Sequence, residues 1–171
     1  MENPFGNNVT ISEYSDRYLK ELDRFITEAK ENGVWVFPIR PITEDTSDWT
    51  ILMFGLESSE GIKGYMPMWS NPAEGLAMSL HIDGPSLQSV PLEMFASVIM
   101  ENPKPGIVAA LNPVVRNGKP DAEGRPSIGV IPPLLIPFDI LLAVYNGIDT
   151  KNFSAELATW ILASKSVTYD F

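Results

Sequence analysis

The sequence predicts an α+β fold: a mostly antiparallel sheet with helices packed on one face, and a helical C-terminal third. Three observations point there. Residues 34–69 hold short runs of Val, Ile, Trp and Phe separated by brief polar turns, as in neighbouring antiparallel strands. Gly64 to Asn112 then reads strand, helix, helix, strand. Beyond it, an apolar segment and a capped helix close the chain.

The elements follow in order. Residues 1–9 are a polar tail with Pro4 and Gly6. Thr10 caps the first helix and Glu13 completes the S/T-x-x-E capping box. Tyr18, Leu22, Phe25, Ile26 and Ala29 recur at spacings of three and four, giving an apolar face, and Gly33 ends the helix. Val34 to Ile39 is β-branched or aromatic and too short for a helix, so it reads as a strand whose end Pro38 turns into an edge or a bulge. Thr43 to Asp48 is a polar loop. Trp49 to Leu56 resumes the sheet, and the turn Glu57 to Gly61 returns it antiparallel as Ile62 to Trp69.

Ser70-Asn71-Pro72-Ala73 starts the second helix, Asn71 to Leu80. Asn71 is the N-cap, Pro72 takes the first helical position where its missing N–H costs nothing, and Glu74 is placed to reach back to the cap. Gly75 inside that helix costs up to about 1 kcal/mol relative to alanine. After a turn at Asp83-Gly84-Pro85 come a short strand, Leu87 to Val90, and a third helix opened by Pro91. Ile107 to Leu111 is a continuous apolar run between breakers, hence a buried strand. Asn112 to Ser127 is either a hairpin or an exposed loop, followed by Ile128 to Ile131. The segment Leu134 to Tyr145, interrupted by Pro137, ends at Asn146-Gly147. Ser154 caps a last helix with Leu157, Ala158, Ile161 and Leu162 on one side.

With 171 residues the chain reads as one domain spanning 1–171, and 44% apolar against 20% charged residues belongs to a folded protein. Acids number 22 and bases 12, a formal charge of −10, which disfavours binding nucleic acid through a basic surface. The imbalance is concentrated: residues 1–85 carry 14 acids and 6 bases, residues 86–171 carry 8 and 6. A field of that sign is either ordinary solvated surface or a docking face for a basic partner. The absence of cysteine removes disulfides, thiolate metal sites and cysteine nucleophiles. No run approaches a membrane span and the N-terminus lacks a signal-peptide pattern, so the sequence predicts a cytoplasmic protein that does not bind membranes.

Catalytic chemistry is sparse. The one histidine, His81, reads as a residue set against a helix C-terminus, with a base or ligand role as the alternative. No G-x-S-x-G, H-E-x-x-H, EF-hand loop, P-loop or G-x-G-x-x-G occurs, so neither a metal site nor a cofactor is predicted. Trp35, Trp49, Trp69 and Trp160 and the methionines around the second helix fit core filling, with a partner surface as the alternative. Trp69 is predicted to be buried where its strand meets the helix capped by Asn71.

Met66-Pro67-Met68-Trp69-Ser70, Val90-Pro91-Leu92 and Ala110-Leu111-Asn112-Pro113, together with the first helix and Gly33-Val34-Trp35, resemble the SseB-type (enhanced serine sensitivity) N-terminal domain and related small bacterial domains. The likeness covers about residues 10–115, with 116–171 as a C-terminal extension; Trp69 departs from the phenylalanine more usual there. It implies a small α+β domain without established enzymatic activity, among bacterial folds that include immunity and regulatory proteins. The expectation is therefore a non-enzymatic acidic module that binds and antagonises a basic partner protein. The acids of the polar loop and turn, Glu44, Asp45, Asp48, Glu57 and Glu60, are its candidate contacts. The alternatives are a small-molecule-binding protein or a hydrolase using carboxylates, and a structural or oligomeric role.

Overall fold

A computed structural model describes residues 10–36, 38–41, 49–51, 54–55, 64–79, 87–94, 97, 107–117, 122–123, 128–131 and 134–166. Helix α1 (Ile11–Asn32) begins at the predicted capping box: Glu13 N–H donates to Thr10 Oγ1 at 3.2 Å and Thr10 N–H to Glu13 Oε2 at 3.0 Å. It ends at Gly33, whose φ of 80° is a left-handed value that favours glycine; a Cβ there would also stand 3.2 Å from Ser89 Oγ. The buried stripe is the predicted one with Tyr14 added one turn earlier.

The strands are β1 (Val34–Val36), β2 (Pro38–Pro41), β3 (Trp49–Ile51), β4 (Phe54–Gly55), β5 (Gly64–Met68), β6 (Gln88–Val90), β7 (Ile107–Leu111), β8 (Val114–Asn117), β9 (Ile128–Ile131) and β10 (Leu134–Ile136). The central sheet runs β10-β7-β5-β4. Its outer pairings are antiparallel, but β5 and β7 at its centre run parallel, Gly64 opposite Ile107 through Met68 opposite Leu111. The intervening chain, with helix α2 (Pro72–Ser79) and β6, is therefore a crossover. Of the two readings of residues 112–127, the hairpin holds: β8 pairs antiparallel with β9. β1 with β6 and β2 with β3 form further antiparallel ribbons.

Pro67 explains how the other side of β5 is shared. Trp69 exchanges both backbone hydrogen bonds with Trp35 of β1, at 2.8 and 2.9 Å, and Tyr65 pairs with Phe54 of β4. Residues 65, 67 and 69 thus turn their backbone groups to the same side, and Pro67, with no N–H to give, falls between the two partners.

Helices α1 and α4 (Ser154–Ser166) lie against the face that carries Met66, Met68, Ala109, Leu111, Leu134 and Ile136, and α3 (Phe138–Tyr145) adds Phe138, Ile140 and Leu141 to that cluster. Residues after 116 thus supply β10, α3 and α4 to the same core. The opposite face is also dry: Trp69, Val108, Ala110 and Leu135 are buried, which is why β7 reads as a continuous apolar run. Gly75 of α2 backs onto Trp69, 3.5 Å between an added Cβ and the Trp69 Cβ, and onto Leu87 at 3.0 Å; the helical glycine makes room for both.

Two details of the last helix differ from expectation. Its cap is Asp149, which accepts from Lys151 N–H at 2.9 Å and starts a 3-10 turn (Thr150–Phe153) running into α4; Ser154 already has helical angles. Its buried residues are Leu157, Ile161, Ala163 and Ser164, while Ala158 and Leu162 are exposed. Ser164 sets that rotation, because its Oγ accepts the Leu135 N–H of edge strand β10 at 2.9 Å and donates to Trp160 C=O at 2.7 Å. Tyr18 donates its hydroxyl to Leu135 C=O at 2.7 Å, so side chains from α4 and α1 occupy both groups that Leu135 would otherwise offer at the edge.

Candidate functional site

At the C-terminal ends of the parallel strands β5 and β7, the two motifs singled out in the sequence, W-S-N-P and L-N-P, meet. The carboxyl ends of parallel strands are where α/β sheets place their sites; here β5 passes into α2 and β7 into the β8–β9 hairpin. Trp69 Nε1 donates to Pro113 C=O at 3.1 Å, Ser70 N–H to Asn112 Oδ1 at 3.0 Å, and Asn112 N–H to Met68 C=O at 2.8 Å. Asn112 takes φ of 50°, a left-handed turn that asparagine tolerates better than most residues. That turn aims its amide back at Ser70, with Nδ2 donating to Ser70 Oγ at 3.2 Å.

The Ser70 hydroxyl in turn donates to Glu28 Oε2 of α1 at 2.7 Å. Glu28 also holds Arg24, Nη1 to Oε1 at 3.2 Å, and Arg24 reaches Glu21 at 3.0 Å and Glu74 of α2 at 3.6 Å. A chain of polar contacts thus runs from buried Asn112 and Ser70 outward to a surface where carboxylates outnumber guanidinium three to one. Partial burial works against the Arg24 charge, but Glu21, Glu74 and Glu28 outweigh it and push its pKa above the ordinary value. Glu74 does not close a capping box, as the sequence suggested. Asn71 caps α2 alone, accepting Ala73 N–H at 2.9 Å, and the Glu74 carboxylate turns to Arg24.

A serine bonded to a carboxylate is one fragment of a nucleophile-and-base pair. Here Ser70 is 0% exposed, its oxygen accepting from Asn112 and donating to Glu28, so the trio works as a latch that fixes α1 to the ends of β5 and β7. Trp69, also 0% exposed, is buried as expected. Glu44, Asp45, Asp48, Glu57, Glu60 and His81 lie outside the described residues. Among the described residues no three His, Asp or Glu gather in a metal-binding cluster, and no helix is long and apolar enough to cross a membrane. What sequence reasoning missed is the reach of Glu28 and Arg24 from α1 to Ser70 and Glu74. Their only sequence signal is a pair of charges four residues apart beside the apolar stripe. Compared with protein-family models, with curated proteins and with solved structures, the chain matches none.

Proposed function

We propose that the protein acts by binding a basic partner protein through an acidic surface, as a non-enzymatic module of the immunity or regulatory type. The observation that carries this reading is the segregation of charge: 14 acids against 6 bases in residues 1–85, within a chain of net charge −10. A one-signed field speeds the encounter with an oppositely charged partner and sets which partners are rejected. The surface around Arg24 contributes to that field, since three carboxylates share one guanidinium there. The likeness of its motifs to SseB-type domains agrees with a role in binding. The contacts we assign are Glu44, Asp45, Asp48, Glu57 and Glu60.

Tagged full-length chain, recovered from its host at low and at moderate salt, tests the proposal against a variant carrying Glu44→Gln, Asp45→Asn, Asp48→Asn, Glu57→Gln and Glu60→Gln. The expected result is a stoichiometric basic protein whose retention falls with salt and is lost with the variant. Retention indifferent to the five substitutions, or no stoichiometric partner, overturns it.

A further inference from the structure

The two ends of the described strand network are treated differently. At β10 the outward N–H and C=O of Leu135 are taken by Ser164 and Tyr18. At β6 no described residue takes them. Trp35 gives both of its backbone groups to Trp69, so they point away from β6. Ser89 lies opposite Trp35 in the β1–β6 register and therefore turns its own N–H and C=O away from β1. Among the described residues neither group has a partner. Gln88 and Ser89 are exposed, and Leu87 to Pro91 contains no charged residue, so the edge lacks the lysines or inward charges that usually block strand pairing. Pro91, without an N–H, closes it at one end.

The geometry points to β6 as a strand-addition site for an extended segment of a basic partner protein. The inference rests on the proposal above for the sign of the partner's charge. Glu31, two residues before the Gly33 that backs onto Ser89, and Glu93, two residues after Pro91, are close to the edge in sequence and are exposed. Neighbouring Lys30 is turned to the Tyr145 ring, 5.4 Å from its centroid, and the sign of the partner is taken from the net charge of −10. An antiparallel second copy would bring the same two acids against its own. So short an edge also offers far less area than a stable dimer buries, roughly 1,200 Å² or more. A peptide-like strand with cationic side chains needs only the ladder bonds and those charges.

The experiment uses full-length protein with a fluorescent (Arg-Val)4 peptide, a (Glu-Val)4 peptide, and (Arg-Val)4 N-methylated at every amide. Binding is read by anisotropy, and the Ser89 amide is followed by hydrogen exchange. The expected result is that (Arg-Val)4 binds, (Glu-Val)4 does not, and exchange at Ser89 slows at least about tenfold on binding, the factor equivalent to 1.4 kcal/mol. Ser89→Pro removes the outward donor while leaving the β1 ladder, and weakens binding by about tenfold. A thermal melt reports whether that variant folds, and the N-methylated peptide, expected not to bind, asks the same question of the unaltered protein. Absence of (Arg-Val)4 binding overturns the inference, as does a sedimentation dimer whose Ser89 amide is protected without peptide. Binding that is lost with Glu31→Gln and Glu93→Gln, yet indifferent to Ser89→Pro and to N-methylation, overturns strand addition and leaves the basic-partner reading standing.

Discussion

Helix α1 is fastened at its two ends by opposite chemistry. Near its start, Tyr14 and Tyr18 reach into a dry interior, Tyr18 bonding Leu135 C=O and Tyr14 bonding Ser164. Near its end, Glu28 and Arg24 stand half-exposed and hold Ser70 and Glu74. The first fastening uses neutral hydroxyls whose worth depends on exclusion of water. The second uses charges whose worth depends on what lies beneath them, here the buried Ser70 and Asn112 pair. The contrast teaches that the charged contacts visible at the surface are the outer part of a latch whose energetic centre is the neutral part below.

The largest effect belongs to that centre. Trp69→Ala removes a fully buried indole and its bond to Pro113, and is expected to cost about 3–5 kcal/mol in urea unfolding. Trp69→Phe keeps most of the bulk and is expected to cost markedly less. A loss near zero for Trp69→Ala would sink the assignment of this end of the sheet as core and mark the residue as a partner anchor instead.

Asn112 comes next. Asn112→Ala leaves the buried Ser70 N–H without its acceptor and forces alanine into φ of 50°, so a loss of about 1–3 kcal/mol is expected from the orphaned group alone. Asn112→Gly relieves the backbone part, about 1 kcal/mol, and restores that fraction of stability. If glycine and alanine prove equal, the left-handed turn contributes nothing and only the amide counts.

The tyrosine end separates from the charged end by pH. Burial raises the Tyr14 pKa above its ordinary 10.0, and burial together with Tyr14 raises that of Tyr18. Both stay protonated in the folded chain at pH values where the unfolded chain loses those protons. Their contribution is therefore complete below about pH 10 and falls as pH rises beyond it, by up to about 1.4 kcal/mol per unit for each tyrosine. Tyr18→Phe should cost about 1 kcal/mol at neutral pH and flatten the alkaline decline. An unchanged decline would place its cause elsewhere.

The same contrast decides what was legible in the sequence. Local rules located α1, its capping box, Gly33, the Asn71-Pro72 helix start and β7, because each depends on a few adjacent residues and an apolar period. The parallel pairing of β5 with β7 was not legible, since a strand's direction relative to its neighbour is set by the crossover and not by its own residues. The cap of α4 went to Asp149 because a 3-10 turn precedes the helix and moves the cap five residues before Ser154. Tyr14 escaped notice since it begins the apolar stripe beside polar Glu13 and Ser15. The latch was half legible: W-S-N-P and L-N-P stood out as motifs, but that they bond to each other, and that Glu28 joins them, is a fact of the folded chain.

The smallest expected effect tests the outer part of the latch. Glu28 and Glu74 both contact Arg24, at 3.2 and 3.6 Å, but only Glu28 also accepts the hydroxyl of buried Ser70. The Glu74 side chain is 42% exposed and the Arg24 side chain 38%, so solvent screens their attraction, and ordering two long side chains cancels much of what remains. Glu74→Gln should therefore change stability by no more than about 0.5 kcal/mol, and by less at 0.5 M salt. Glu28→Ala should cost more, about 1–2 kcal/mol, with most of the loss surviving high salt, because the buried Ser70 hydroxyl would exchange a 2.7 Å bond to a carboxylate for its one other acceptor, Asn112 Oδ1, at a marginal 3.5 Å. Measured side by side at low and high salt, the two variants separate charge from latch. Equal, salt-sensitive losses would mean that the surface ion pairs, and not the Ser70 bond, hold this end of α1.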